Sequence, residues 1–209
     1  MIDGIFGQKI LDNMNYTLNK ATTLVNPNYK VALEFGVAEG TSTGELRSWL
    51  PDFKIYGFDS FRGLPEDWID NGIEVALKGA FDRGGSAPSV SGVEMVIGWF
   101  KDTVPEFAKQ HPEPVGLIHM DCDIYSGCKD ALYNITNLIV KDTIIIFDDW
   151  CVHPGGPAGA GLASKKDIRC HWDGVQKAFY EWAMEKDKAF EVFPIVKDEV
   201  HRRIVKINN

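Results

Sequence analysis

The strongest constraint on this chain is a series of strand-length runs, several of them apolar at consecutive positions. They are Val31–Gly36, Lys54–Phe58, Val93–Trp99, Val115–Met120, Thr143–Phe147, Phe190–Val196 and Arg203–Ile207. A strand with one wet face alternates apolar and polar residues; a strand buried on both faces does not. Helix-like segments lie between the runs: Thr41–Leu50, Pro105–Gln110, Lys129–Val140 and Asp173–Lys188. Leu132, Ile135, Leu138 and Ile139 fall at helical spacing, as do Val175, Ala178, Phe179 and Trp182. This alternation predicts an α/β fold of βαβ units, with a seven-stranded, mostly parallel sheet and helices on both faces. Only Lys197–Arg202 separates the last two runs. That is too short for a helical crossover and predicts a C-terminal antiparallel hairpin.

The 209 residues suit a single domain, 1–209, with 1–30 as a helical lead-in. A net charge of -8 argues against a nucleic-acid backbone or an anionic membrane as partner. The opening MIDGIFGQKI has no basic segment followed by an apolar one, and no run approaches membrane-spanning length, so the expected setting is cytoplasmic. Cys122, Cys128, Cys151 and Cys170 lack the CxxC spacing of a zinc site and read as free thiols. Cys122, between two acids, should point away from them into packing. Two stretches break the pattern, Arg62–Pro88 and the Gly- and Pro-rich His153–Cys170. Both follow strand ends, where an open parallel sheet binds its ligands, so both are candidate substrate loops.

The first strand ends as LEFGVAEGTST. Gly36 and Gly40 bracket a turn, with Val37 between them, and a helix starts near Thr41–Thr43. Glycine lets the backbone approach a ligand, and free amides at a helix start can hold a carboxylate. The spacing is E-x-G-x-x-x-G, not the dinucleotide G-x-G-x-x-G. Asp59, followed by Ser60, ends the second strand about 20 residues on, where an acid can accept from a ribose diol. The pattern fits a nicotinamide dinucleotide or S-adenosylmethionine, and the glycine spacing favours the second. Glu34 is then expected on the amine side, Thr41 and Ser42 on the carboxylate side, and Trp99 and Phe100 beside adenine.

Two later strands end in paired acids. HMDCDIYSG carries Asp121 and Asp123; IIIFDDW carries Asp148 and Asp149. If the two strands are neighbours, about 4.8 Å apart, these carboxylates converge. They cannot all stay ionised without a counter-charge. A divalent cation provides one, and oxygen ligands favour Mg²⁺, Mn²⁺ or Ca²⁺. Asp121, also a candidate cofactor contact, Asp148 and Asp149 are the candidate ligands. Asp123 is the first candidate general base. His153 follows, then His119 and His171, with His119 better suited to packing inside the strand.

Taken in order, LEFGVAEGTST, YGFDSFRGLPEDW, IGWFKDTVPEF, HMDCDIYSG, IIIFDDW and GVQKAFYEW resemble the motifs of the macrocin O-methyltransferase family. The resemblance spans about residues 31 to 185. It implies the Rossmann-like class I methyltransferase fold, S-adenosylmethionine as methyl donor, and Mg²⁺ on Asp121, Asp148 and Asp149. It also implies cofactor contacts from Glu34, Gly36, Thr41, Ser42 and Asp59, and a sugar or phenol hydroxyl as acceptor; a homo-oligomer is compatible with it. Three rival readings are a glycosyltransferase using Asp121-Cys122-Asp123, a phosphatase of the haloacid dehalogenase type, and a non-catalytic cofactor-binding protein.

Overall fold

The computed structural model describes residues 16–70, 73–150, 174–194 and 201–209. The stretch 153–170, with His153, and also His171 lie outside the described residues. Among the described residues there are nine strands: β1 (Val31–Phe35), β2 (Lys54–Asp59), β3 (Trp68–Asp70), β4 (Ile73–Ala76), β5 (Val93–Ile97), β6 (Leu117–Met120), β7 (Ile144–Phe147), β8 (Phe190–Val192) and β9 (Arg203–Ile207). The helices between them are α1 (Thr41–Trp49), α2 (Phe100–Gln110), α3 (Tyr125–Asn134) and α4 (Gly174–Glu185). A helical stretch, 16–22, precedes β1.

Seven strands form one sheet in the order β5-β2-β1-β6-β7-β9-β8. The first five are mutually parallel; β9 runs antiparallel to both β7 and β8. Chain order reverses between β1 and β6, the place where open α/β sheets bind ligands beyond their strand ends. Successive strand residues face opposite sides. One side packs Phe35, Phe58, Met120, Ile145 and Phe147 against α2, α3 and α4, which contribute Phe107, Leu132, Phe179 and Trp182. The other packs Ala32, Leu117, Ile144, Ile146 and Ile204 against Leu46 of α1 and Leu18 of the 16–22 stretch. Burial on both sides is what consecutive apolar residues require. Truncating a fully buried ring such as Phe179 to alanine would cost about 3–5 kcal/mol.

Three helices differ in extent from the sequence expectation. α2 begins at Phe100 rather than Pro105, and Pro105 sits inside it. The missing amide there forgoes only one bond, to the carbonyl four residues earlier. α3 spans Tyr125–Asn134 and is followed by a 3₁₀ turn, Thr136–Leu138, instead of one helix over Lys129–Val140. Apolar spacing continues through the break because Ile135, Leu138 and Ile139 are all buried. The Thr136 hydroxyl donates back to the Leu132 carbonyl at 3.0 Å, a bond that competes with regular helix. At the chain's far end, α4 stops at Glu185, short of Lys188.

The Arg62–Pro88 stretch is partly ordered into a small antiparallel hairpin of β3 and β4. Its base is anchored by Leu64 and Trp68 packing on Ile124, and by the Ser126 hydroxyl donating to Glu66 at 2.6 Å. The hairpin therefore sits beside the segment that carries Asp121 and Asp123. Among the described residues, no helix is long and apolar enough to cross a membrane.

Candidate active site

The sheet ladder continues past its strand ends. Gly36 N donates to the Phe58 carbonyl (2.9 Å), Asp121 N to Phe35 (2.9 Å) and Asp148 N to Met120 (3.0 Å). The ends of β2, β1, β6 and β7 are thereby locked in one row. Gly36 has φ +93°, and a β-carbon on it would lie 1.7 Å from the Asp121 carbonyl oxygen. The absence of a side chain thus lets the cofactor turn and the acidic strand end touch.

Asp59 closes that turn from the β2 side. Its Oδ2 accepts from Val37 N (3.0 Å) and Ala38 N (2.9 Å), and its Oδ1 from Phe61 N (2.8 Å). Three of the roughly four acceptor positions of a carboxylate are filled by backbone amides. Ala38, Phe61 and Asp123, each just beyond a strand end, all have positive φ (46°, 53° and 63°). Backbone strain of this kind is costly for a residue with a side chain and collects at functional sites. At Asp123 the turn is closed by Ile124 N donating to the Cys122 carbonyl at 2.6 Å. Cys122 itself is buried in the core, as expected. Ser60 Oγ accepts from Arg62 N (3.1 Å), and Trp99, half-buried, precedes the first residue of α2.

Glu34 departs from expectation. Its carboxylate does not face a ligand's amine: the residue is fully buried on the α1 side of the sheet. It accepts from the Ser42 hydroxyl (2.6 Å), the Thr43 hydroxyl and His119 Nδ1 (2.9 Å). A buried carboxylate must be satisfied, and the hydroxyls opening α1 with the β6 imidazole supply the donors. Ser42 accordingly spends its hydroxyl on Glu34, while Thr41 is exposed.

The acids of β6 and β7 do converge, because the two strands are parallel neighbours with Met120 opposite Phe147. Asp148 binds Arg202 through a fork, Nε to Oδ1 at 2.6 Å and Nη2 to Oδ2 at 2.7 Å, and also accepts from His119 Nε2 at 3.2 Å. Both ring nitrogens of His119 face carboxylates, an arrangement that favours the doubly protonated ring. Burial alone would lower its pKa, but the bonds to Asp148 and Glu34 prevail and hold it well above the ordinary value. Burial likewise opposes ionisation of Asp148, yet Arg202 and His119 keep it below the usual carboxylate range.

The other three acids behave in the opposite way. Burial and then the Asp148 charge raise Asp121 well above its ordinary value. Burial and then Asp123 do the same for Asp149, while burial and Asp121 push Asp123 to about 8. Asp149 Oδ2 is buried without a hydrogen-bond partner. Oxygens of Asp121, Asp123 and Asp149 all lie within 4.8 Å of one another; a second group within that limit is His119, Asp121 and Asp148. An orphaned buried oxygen among crowded carboxylates fits an oxygen-preferring divalent ion, and neither group includes a cysteine.

Sequence reasoning missed Arg202 and Thr43. The register that places Arg202 is visible only in the structure. β7 and β9 pair antiparallel with Phe147 opposite Arg203, and one more step along that register sets Asp148 opposite Arg202.

Comparison with known proteins bears on the family and the fold. A family model described as "Methyltransferase domain" matches residues 33–150, which run from β1 through both acid pairs. A Streptomyces olivaceus protein, 8-demethyl-8-(2,3-dimethoxy-alpha-L-rhamnosyl)-tetracenomycin-C 4'-O-methyltransferase, is 28% identical over 171 residues. That alignment covers 70% of this chain and 62% of the relative, so the chain spans less than two thirds of that protein's length. Among solved structures, CalS11, a calicheamicin methyltransferase, superposes with a TM-score of 0.65 at 20% identity, over 95% of this chain and 79% of that one. The O-methyltransferase NovP gives 0.63 at 19% identity, over 94% and 80%. At these identities the two structures speak for the fold, whereas the family match covers more than half of the residues and includes every described site element except α4 and Arg202; the chain belongs to the methyltransferase-domain family.

Proposed function

We propose that this protein is an S-adenosylmethionine-dependent O-methyltransferase that uses a divalent metal and acts on a hydroxyl of a small molecule, in first place a sugar. The observation that carries this reading is the contact between Gly36 and Asp121. It sets a glycine- and acid-framed turn suited to a methyl donor against a carboxylate cluster suited to an acceptor hydroxyl. The six ordered motifs support a narrower place near the macrocin O-methyltransferases. The tetracenomycin relative's name, with a rhamnosyl group methylated on oxygen, supports a sugar acceptor.

In this reading Gly36, Val37, Gly40 and Thr41 line the donor site by their backbone, and Ser42 by the start of α1. Asp59 and Ser60 meet the ribose, Trp99 flanks the base, and Asp121 borders both halves of the site. Glu34 acts from behind, by fixing the first turn of α1. The metal ion, Mg²⁺ in preference to Mn²⁺ or Ca²⁺, would lower the pKa of the acceptor hydroxyl and orient its oxygen. Asp123, whose carboxylate lies beside those of Asp121 and Asp149, takes the hydroxyl proton. His153 is the second choice for that role. S-adenosylmethionine, held by the Gly36–Gly40 turn and Asp59, would supply the methyl group to the acceptor oxygen and leave as S-adenosylhomocysteine. Alignment of the reacting atoms supplies much of the rate.

A thermal-shift series tests the donor. S-adenosylhomocysteine should raise the melting temperature, because a ligand of the native state stabilises it. Stabilisation by a nucleotide-sugar with Mn²⁺, and none by S-adenosylhomocysteine, would instead favour a glycosyltransferase. Mass spectrometry over a panel of hydroxylated sugars and phenols should then show a gain of one methyl group.

A further inference from the structure

Arg202 is the one cation among the described residues that forks onto an acid of the cluster. Its side chain is 13% exposed and that of Asp148 10%, so the pair is nearly sealed from water. Four side chains follow in a hydrogen-bonded row: Arg202, Asp148, His119 and Glu34, joined at 2.6 Å, 3.2 Å and 2.9 Å. The Ser42 and Thr43 hydroxyls complete the last carboxylate. Both Asp148 oxygens are engaged by a planar fork whose geometry matches a carboxylate.

Asp121, Asp123 and Asp149 are different. Among the described residues none of the three forms an ion pair, and one oxygen of Asp149 has no partner at all. Position separates Asp149 from Asp148, while Asp121 lies within reach of both, its oxygens being within 4.8 Å of each group. Asp148 shares the α1 side of the sheet with His119, whereas Asp149, one residue on, starts from the opposite side.

We infer that Arg202 is a positioning residue that keeps Asp148 out of the metal's ligand set, so that the divalent ion is held by Asp121 and Asp149 with Asp123 beside it as the base. This rests on the metal-dependent reading above and narrows it. Two protein carboxylates are enough for Mg²⁺, which keeps other positions for water and substrate oxygens. Asp148 then acts at one remove. It ties the acid edge through His119 to Glu34 and the start of α1, where the methyl donor is proposed to bind.

The test is direct binding of Mn²⁺ to the chain alone, followed by electron paramagnetic resonance of the free ion and by calorimetry. Asp149→Asn should weaken binding by a factor of about 20 or more. Replacing the pair as a unit, Arg202→Met with Asp148→Asn, leaves the net charge unchanged and should keep affinity within about threefold of wild type. Buried ion pairs often tolerate joint replacement, so this double variant carries the test even where Arg202→Met alone fails to fold. Where that single variant folds, it frees a carboxylate and should bind Mn²⁺ about tenfold more tightly. A double variant that loses Mn²⁺ as severely as Asp149→Asn, with a normal melting curve, overturns the inference and makes Asp148 a ligand. A wild-type chain that binds no Mn²⁺ overturns the metal-dependent reading as well, which tells the two failures apart.

Discussion

The carbonyl oxygen of Asp121 occupies the space where a β-carbon of Gly36 would lie, 1.7 Å from its ideal position. The glycine at the β1 turn is therefore required by the protein's own packing, whatever ligand the turn receives. Gly36→Ala should force β1 and β6 apart and place alanine at a φ it rarely adopts. Overpacking costs about 1–3 kcal/mol and backbone strain about as much again. Thermal melts should show the loss, and calorimetry should show weakened binding of S-adenosylhomocysteine. A variant that melts with wild type would refute the packing role.

Asp59 holds two consecutive amides, those of Val37 and Ala38, on one oxygen. In Asp59→Asn one carboxylate oxygen becomes an amide nitrogen, which cannot accept. Whichever way the amide lies, at least one of the three backbone donors loses its acceptor, at about 1–3 kcal/mol. We expect a lower melting temperature and weaker S-adenosylhomocysteine binding in the same variant. Weaker binding with an unchanged melt would assign Asp59 to the ligand alone.

Stability without added metal should fall as pH rises. Asp123 has a folded-state pKa near 8, against an ordinary value of 3.8. Between those values the native state binds the extra proton, so unfolding free energy declines with pH. Asp121 and Asp149 are raised as well and act in the same sense. His119 is raised above 6.5; its contribution is complete below that value and is lost only as pH climbs through the folded-state pKa. Asp148 runs the other way, since its lowered pKa gives stability that disappears only in strong acid. Melts from pH 5 to 9 in EDTA should therefore decline, and Mg²⁺ should flatten the upper half of the curve. A rising curve in EDTA would contradict the buried-acid picture.

Metal removal should abolish methyl transfer. With an identified acceptor, excess EDTA should cut turnover by at least about a hundredfold, a loss of some 2.7 kcal/mol in transition-state stabilisation. Added Mg²⁺ should restore it, and Asp149→Asn should resist rescue. Full turnover in EDTA would remove the metal from the mechanism.

Much of the frame was legible because burial on both faces of a parallel sheet writes itself as consecutive apolar residues. Ile144–Phe147 is a clear case, and the adjacency of Asp121 and Asp148 followed from the strand order it implied. The β3–β4 hairpin was not legible. β3 is three residues long and leaves Ile69 half exposed, too little for any periodicity to register. Glu34 was read towards the amine of the methionine moiety; its direction is decided by Ser42, Thr43 and His119, all three on other elements beyond local pattern. Arg202 needed the antiparallel register of β7 and β9, which only pairing in space reveals.

The placement of β9 between β7 and β8 has a consequence for assembly. The guanidinium that meets Asp148 comes from Arg202, just before β9, and is made after both acid pairs. Until synthesis has passed residue 202, β6 and β7 hold their carboxylates together without that arginine. The emerging chain should keep this edge loose and water-filled, and close it only when β9 slides into the gap. Completion of the sheet and completion of the charge pattern are then one folding event.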